Sequence, residues 1–152
     1  MNHVIERALQ FFPDFNRRIH LDGDQDDFCK KNRVGRIETE LIEDLGEFCV
    51  HREVPLILIN KFVNRQFRPW VTWHEIGHVI FHSPLSCKFS TATRKIEIEA
   101  NVVAALLLIP QHLLRTKQLW EIQEEFNYPR RLIEFRKDLY DNYKNEENKW
   151  LK

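Results

Sequence analysis

The chain has 152 residues, of which 43% are apolar and 30% charged, a balance typical of a folded domain and not of a disordered chain. It carries 23 Lys and Arg against 23 Asp and Glu, and this zero net charge argues against a dedicated nucleic-acid-binding protein. We expect the basic pairs Arg130–Arg131 and Arg136–Lys137 to lie on the solvated face of a helix. The length predicts a single domain spanning residues 1–152.

The N-terminal stretch MNHVIERALQ lacks the apolar core of a signal peptide, and the longest apolar run, VVAALLLI from Val102, is too short to span a bilayer. Three widely spaced cysteines, Cys29, Cys49 and Cys87, form no CxxC pair, which argues against a disulfide framework or a cysteine zinc site. We therefore expect a cytoplasmic protein that contacts no membrane and holds reduced, mostly buried thiols.

In chain order, apolar residues at helical spacing predict a helix over His3–Phe12, and acidic capping residues predict a second, short helix in LDGDQDDFCKKN. From Val34 the pattern changes to three strands, in VGRIETELI, EFCVHR and PLILIN. Everything from Glu97 onward reads as helix, with breaks near Pro110 and before Pro129, which suits a first helical position. This order predicts an α+β fold in which a small sheet precedes a run of helices.

A connector that ends in Pro69 leads to the stretch WHEIGHVIFH, Trp73–His82. Residues four apart share a helix face, so the imidazoles of His74 and His78 can bind one ion, with Glu75 beside them. Zinc binds neutral imidazole nitrogens, and a water at its open position becomes acidic near neutral pH. The spacing therefore predicts His74 and His78 as metal ligands and Glu75 as the base that accepts a proton from that water.

His82 extends the four-residue spacing but lies about 12 Å from His74 along a straight helix, too far to share its ion. Metalloproteases with a third histidine on the same segment need a glycine break, HExxHxxGxxH, which this stretch lacks. We expect His82 in the terminal turn, ahead of Ser83–Pro84. The third ligand must therefore come from another segment.

That segment is RKIEIEANVVAALLLIP. At 100° per residue, four residues share the side of the helix on which Glu97 lies: Ala100, Asn101, Ala104 and Leu108. Glu99 faces nearly the opposite way. A face with small residues, one carboxylate and one amide permits close approach to another helix, and Asn101 is placed to hold the second nitrogen of a ligand histidine. Glu97 could also be a solvated glutamate favoured by the helix dipole, and an HExxH match can arise by chance. Together the two segments predict Glu97, not Glu99, as the third ligand.

The sequence HEIGHVIFH followed by EIEANVVAALLLIP resembles the ImmA/IrrE family of zinc metallopeptidase-like proteins, whose pattern is HExGHxxxH, then ExxAN, then a leucine-rich run ending in proline. The resemblance covers roughly Val54–Pro110, including the strand PLILIN. It implies that Zn²⁺ is bound by His74, His78 and Glu97, with Glu75 as the general base. It also implies a zincin-like fold, with a short sheet packed against the HExxH helix and further helices on its C-terminal side.

Some members of that family cleave a partner transcriptional repressor in mobile-element, phage or stress-response switches. The resemblance therefore implies a zinc endopeptidase whose partner is a protein substrate of the repressor type. The alternative is a non-catalytic regulator that uses the metal-binding fold for protein–protein interaction. Retention of Glu75 favours the peptidase, because a purely structural metal site has no use for a base.

The sequence departs from the family in two respects. It contains no recognisable helix-turn-helix segment fused to this region, and bulky Trp70 and Trp73 stand where smaller or different residues are common. We expect these tryptophans to narrow or cover the cleft. A group that stabilises the substrate oxyanion is also expected, and His51, His112 and Tyr128 remain open candidates.

Overall fold

The computed structural model describes residues 2–82 and 94–150. Within these ranges lie seven helices and three strands, in the order α1 Asn2–Phe11, α2 Asp22–Asn32, β1 Gly35–Thr39, β2 Gly46–His51, β3 Val54–Asn60, α3 Arg68–His82, α4 Arg94–Leu108, α5 Gln111–Thr116, α6 Leu119–Phe126 and α7 Arg130–Trp150. The predicted α+β class is confirmed, with the sheet ahead of the main run of helices.

Several element boundaries differ from the predictions. Helix α3 begins at Arg68, so Pro69 lies in its first turn, where a missing N–H leaves no helical hydrogen bond unmade. Helix α7 begins at Arg130, and Pro129 accepts the first helical hydrogen bonds through its carbonyl. The segment after α4 also has a break that the sequence pattern did not predict, between α5 and α6.

The three strands form one mixed sheet in the order β1-β3-β2. Strand β1 runs parallel to β3, with Thr39 opposite Asn60, and β2 runs antiparallel to β3, with Gly46 opposite Ile59. The last residues of β1 and β3 and the first residue of β2 therefore meet at one end of the sheet. Because α3 packs against β2 and β3, this end of the sheet is brought beside the HExxH helix.

The central strand supplies the apolar side of the sheet. Ile57 and Ile59, two residues apart and so on one face, are both fully buried. Helix α3 packs on this sheet and on α4, and α4 is buried along almost its whole length after Ile98. The HExxH helix is therefore held from two sides, by the sheet and by α4.

Of the two tryptophans of α3, Trp73 does not occupy the position we expected. Trp73 is fully buried, donates from Nε1 to the carbonyl of His20 at 3.2 Å, and packs its ring edge-on against Phe12. Trp70 is half-buried and stacks on Phe67. The expectation that Trp73 borders the cleft is wrong, because this side chain belongs to the core between α3 and the N-terminal helices.

Cys29 is buried and Cys49 is half-buried, and neither forms a disulfide with a residue that the structure describes, whereas Cys87 lies outside the described residues. No helix in residues 2–82 and 94–150 combines the length and apolarity needed to cross a membrane.

Arg136 on α7 is fully buried, so the expectation that it lies on a solvated face is wrong. Its Nε donates to the carbonyl of Ile109 at 2.8 Å, at the C-terminal end of α4, and its Nη2 donates to Oδ1 of Asn16 at 3.2 Å. The same Asn16 oxygen accepts the backbone N–H of Gln111 at 2.8 Å. A cation is favoured at a helix C-terminus, and this position lets Arg136 join α7, α4 and the segment after α1.

We predict that Arg136→Met, which keeps most of the side-chain volume, lowers the free energy of unfolding by about 2–3 kcal/mol, because buried acceptors lose a charged donor. Urea denaturation followed by circular dichroism measures this change. The control is Arg131→Met on the same helix, where the side chain is exposed and the expected change is within about 0.5 kcal/mol. Equal effects of the two substitutions would contradict the structural role of Arg136.

Candidate metal centre

Two histidines of α3 and one glutamate of α4 converge on a single point. Among the described residues, His74, His78 and Glu97 form a group whose candidate ligand atoms all lie within 4.8 Å of one another. The Nε2 atoms of the two histidines are 3.1 Å apart, and they lie 3.2 and 3.4 Å from the two carboxylate oxygens of Glu97. The structure thus brings together the three residues that the sequence pattern selected.

His74 is oriented by Asn101, one turn beyond Glu97 on α4. The His74 Nδ1–H donates to Asn101 Oδ1 at 2.9 Å, which fixes the tautomer and leaves the Nε2 lone pair directed at His78 and Glu97. Burial lowers the pKa of His74, but the hydrogen bond and charge of Glu97, the charge of Glu75 and the Asn101 contact together raise it above its ordinary value. The position between the rings therefore favours positive charge, whether it is a proton or a metal ion.

Helices α3 and α4 approach closely enough for this convergence because both carry small residues at their contact. A Cβ atom added to Gly77 would lie 2.9 Å from the Cα of Ala100 and 3.2 Å from its Cβ. Gly77 is the residue just before His78, and Ala100 is the residue just before Asn101. The small side chain of Ala100 was predicted to permit close packing, whereas Gly77 was not recognised as its partner on α3.

Glu97 and Glu99 occupy opposite sides of α4. Glu97 is 44% exposed and faces the histidines, whereas Glu99 is buried and lies 2.7 Å from His3 Nε2 on α1. The two side chains point in nearly opposite directions because each residue of a helix turns the chain by 100°, so residues two apart differ by about 200°. Glu99 is therefore part of the contact between α4 and α1, away from the histidine pair.

Glu75 lies on the side of α3 that faces the sheet. Its residue is only 5% exposed, and its carboxylate makes no hydrogen bond or ion pair with any described residue. A Cβ atom added to Gly46, the first residue of β2, would lie 2.8 Å from Glu75 Oε1, so the glycine leaves the space that this carboxylate needs. The role of Gly46 was not apparent from the sequence, where it marked only a strand boundary.

Burial raises the pKa of Glu75 to about 7, with the negative charges of Glu97, Glu47 and Asp44 acting in the same direction and His74 opposing them. A carboxyl group with a pKa near neutrality can both accept and release a proton under physiological conditions. A divalent cation between the histidines and Glu97 opposes this rise, because positive charge favours the carboxylate.

The other candidates contribute nothing to this group in the described part of the chain. His82 is the last residue of α3, as expected of a terminal-turn residue. His51 lies at the far end of β2 from Gly46, about 17 Å away along the strand. Tyr128 is buried and stacks on Phe126, and His112 is an exposed residue of α5. No hydrogen bond or ion pair joins these three oxyanion candidates to the His–His–Glu group.

The donor set fits a small divalent cation. Ligand atoms of a tetrahedral zinc ion with bonds of 2.0–2.1 Å lie about 3.3 Å from one another. The two Nε2 atoms are 3.1 Å apart, and each lies 3.2 or 3.4 Å from a different carboxylate oxygen of Glu97, so both oxygens are within reach of an ion held by the two histidines. Two imidazoles and one carboxylate are a catalytic zinc ligand set, and they leave a further position open. The same set of three ligands, two imidazoles and one carboxylate, also occurs in non-haem iron sites.

Residues 41–136 match the sequence model of the Peptidase M78 family, described as an IrrE N-terminal-like domain. The matched region spans more than half of the chain and includes α3, α4 and the sheet end beside Glu75. The chain belongs to this family. The resemblance drawn from the sequence is thereby confirmed, and membership indicates a metallopeptidase-like domain. No curated protein matched the sequence significantly.

We predict that Gly77→Ala separates α3 from α4, because the added methyl group meets the Ala100 backbone at 2.9 Å. Overpacking of this kind costs about 1–3 kcal/mol of stability, measurable by urea denaturation. The control is Gly23→Ala on α2, where an added Cβ has no atom within 4 Å and the helix should gain stability. A Gly77→Ala variant that gains as much stability as Gly23→Ala would contradict the close contact.

Proposed function

We propose that this chain is a zincin-like, zinc-dependent endopeptidase that cleaves a partner regulatory protein of the transcriptional-repressor type, in a cytoplasmic mobile-element or stress-response switch. His74, His78 and Glu97 would hold Zn²⁺, Glu75 would act as the general base, and Asn101 would orient His74. Family membership supports the peptidase class, and the close spacing of the three candidate donor atoms supports a bound ion of the size of Zn²⁺.

The observation that carries the catalytic part of the proposal is the position of Glu75. A buried carboxylate without a hydrogen bond is costly, so its retention needs a reason other than stability. Glu75 follows directly after His74, yet its side chain faces the start of β2 and lies outside the group of donor atoms. It would therefore lie next to a bound ion without belonging to its ligand set, which is the arrangement that a general base requires.

Zinc held by His74, His78 and Glu97 would supply Lewis acidity, which polarises a peptide carbonyl and makes water a nucleophile at neutral pH. Glu75 accepts the proton of the attacking water and delivers it to the leaving amine. Asn101 keeps the His74 Nδ1 atom hydrogen-bonded, so that the Nε2 lone pair stays available. Peptide hydrolysis needs a Lewis acid and a proton acceptor, but no change in the oxidation state of the metal. This requirement favours zinc over iron.

The metal assignment predicts about one zinc per chain in purified protein, because three protein ligands and an open position are typical of a catalytic zinc site. Inductively coupled plasma mass spectrometry measures the content. The double variant His74→Ala, His78→Ala should lose the ion, and a zinc content equal to that of the parent would refute the site.

The two glutamates of α4 provide a matched comparison within the same assay. Glu97→Gln should weaken zinc binding about 10-fold or more, because it removes a charged ligand. Glu99→Gln should leave zinc affinity nearly unchanged, although it weakens the contact with His3. The opposite ranking in a competition assay with a chelating dye would mean that the ligand assignment on α4 is wrong.

The catalytic role of Glu75 predicts that Glu75→Gln folds and binds zinc like the parent but loses cleavage by about 10²–10⁴-fold, the usual contribution of a general acid–base group. If a repressor-like protein is encoded beside this gene, that protein is the natural test substrate. Timed incubation, gel electrophoresis and mass spectrometry of the fragments give the rate and the cleaved bond.

Normal cleavage by Glu75→Gln would show that Glu75 is not the base. A parent protein that cleaves nothing, while Glu75→Gln still regulates the repressor in cells, would instead establish the non-catalytic regulator. Zinc content measured on the same preparations separates loss of chemistry from loss of the metal.

A further inference from the structure

Three large apolar side chains are exposed at the end of the sheet that lies beside Glu75. Ile42 is 99% exposed, Leu45 53% and Phe62 70%. Ile42 and Leu45 lie between β1 and β2, and Phe62 follows β3. Single exposed apolar residues are ordinary on protein surfaces, but several on one structural unit indicate a contact surface.

Asn60 joins the segments that carry these side chains. Its Nδ2 donates to the carbonyls of Leu41 and Asp44, at 3.0 Å in each case, and its backbone N–H donates to the carbonyl of Leu45 at 2.9 Å. Its Oδ1 accepts the backbone N–H of Phe62 at 3.1 Å. The apolar side chains therefore project from one hydrogen-bonded unit at the ends of the strands.

The same unit is acidic. The stretch from Ile37 to His51 contains five acidic residues and no Lys or Arg: Glu38, Glu40, Glu43, Asp44 and Glu47. The first two are neutralised, by ion pairs of Glu38 with Arg68 and of Glu40 with Lys61. The last three are exposed and form no ion pair with any residue that the structure describes. Even when Lys61, Arg65 and Arg68 of the following segment are counted, acidic residues outnumber basic ones by five to three.

We call residues 42–47 together with Phe62 the rim. The rim lies directly beside Glu75, the proposed general base, because a Cβ atom added to Gly46 would lie 2.8 Å from Glu75 Oε1. Only 5% of the surface of Glu75 is exposed, and its carboxylate lacks a hydrogen-bond partner among the described residues. A polypeptide lying on the rim would therefore pass beside the carboxylate of Glu75.

We propose that the rim binds a segment of the protein substrate in which Lys or Arg residues accompany large apolar residues. This inference rests on the proposed function and specifies its substrate class. The unpaired carboxylates of Glu43, Asp44 and Glu47 attract the basic residues, and Ile42, Leu45 and Phe62 bury the apolar ones. Because DNA-binding proteins carry a basic excess, a repressor is a source of such segments.

The test measures the binding of two fluorescent 12-residue peptides to the zinc-loaded Glu75→Gln protein, in which cleavage is blocked. One peptide combines Leu and Phe with Arg, and the other has Glu at every Arg position. Fluorescence anisotropy should show at least 10-fold tighter binding of the Arg peptide at low salt, and this preference should shrink as salt screens the charges.

Two variants made in the same background locate the preference. The rim variant Glu43→Gln, Asp44→Asn, Glu47→Gln should lose about 10-fold in affinity for the Arg peptide. The control variant Glu53→Gln, Glu124→Gln, Asp138→Asn removes the same number and types of charge at exposed positions elsewhere, and should bind the peptide like the parent. Three outcomes would overturn the proposal: no preference for the Arg peptide, unchanged binding by the rim variant, or equal losses in both variants.

The proposed peptidase activity is tested separately, by incubating the parent protein with the same peptides and the repressor-like protein. Rim-dependent binding without any cleavage would refute the peptidase and leave the rim as the docking surface of a regulator. Cleavage that shows no dependence on the rim would refute the inference about the rim and leave the peptidase intact.

Discussion

The close contact between Gly77 of α3 and Ala100 of α4 is the constraint on which the candidate metal centre depends. Imidazole and carboxylate side chains reach only a few ångströms from their helices, so the spacing of α3 and α4 decides whether ligands from the two helices can meet. A single added Cβ at Gly77 would come within 2.9 Å of the Ala100 backbone. The glycine inside the HExxH motif is therefore a spacing residue, and the sheet and the remaining helices hold the two helices in that contact.

Helix α3 directs its two histidines and Glu75 to different neighbours. His74 and His78 face α4, where Glu97 and Asn101 meet their ring nitrogens, whereas Glu75 faces the sheet at Gly46. Adjacent residues on a helix differ by 100° in direction, so a histidine and the next glutamate cannot both face the same partner. This division keeps Glu75 near the histidines but outside the group of candidate ligand atoms. Burial at the sheet then raises its pKa to about 7, which suits proton transfer.

The small sheet has a second consequence, at the end where Asn60 binds the β1–β2 segment. One amide side chain and one backbone N–H hold Leu41, Asp44 and Leu45 in place. Apolar and acidic side chains thereby become a fixed surface next to Glu75. A segment that is already ordered in the free protein loses less backbone entropy when a partner binds to it.

The sequence by itself determined the features that helical and strand periodicity fix: the α+β class, the pairing of His74 with His78 at four-residue spacing, and the opposite directions of Glu97 and Glu99. These follow from local geometry, which neighbouring residues impose on one another. The tertiary structure alone decided which residues are buried and what they contact. It buried Arg136 between α7 and α4, placed Trp73 in the core beside His20, and made Gly46 and Gly77 the points of closest approach. Such contacts join residues that are far apart in sequence. They are determined by packing between whole helices and strands, and no local sequence pattern encodes that packing.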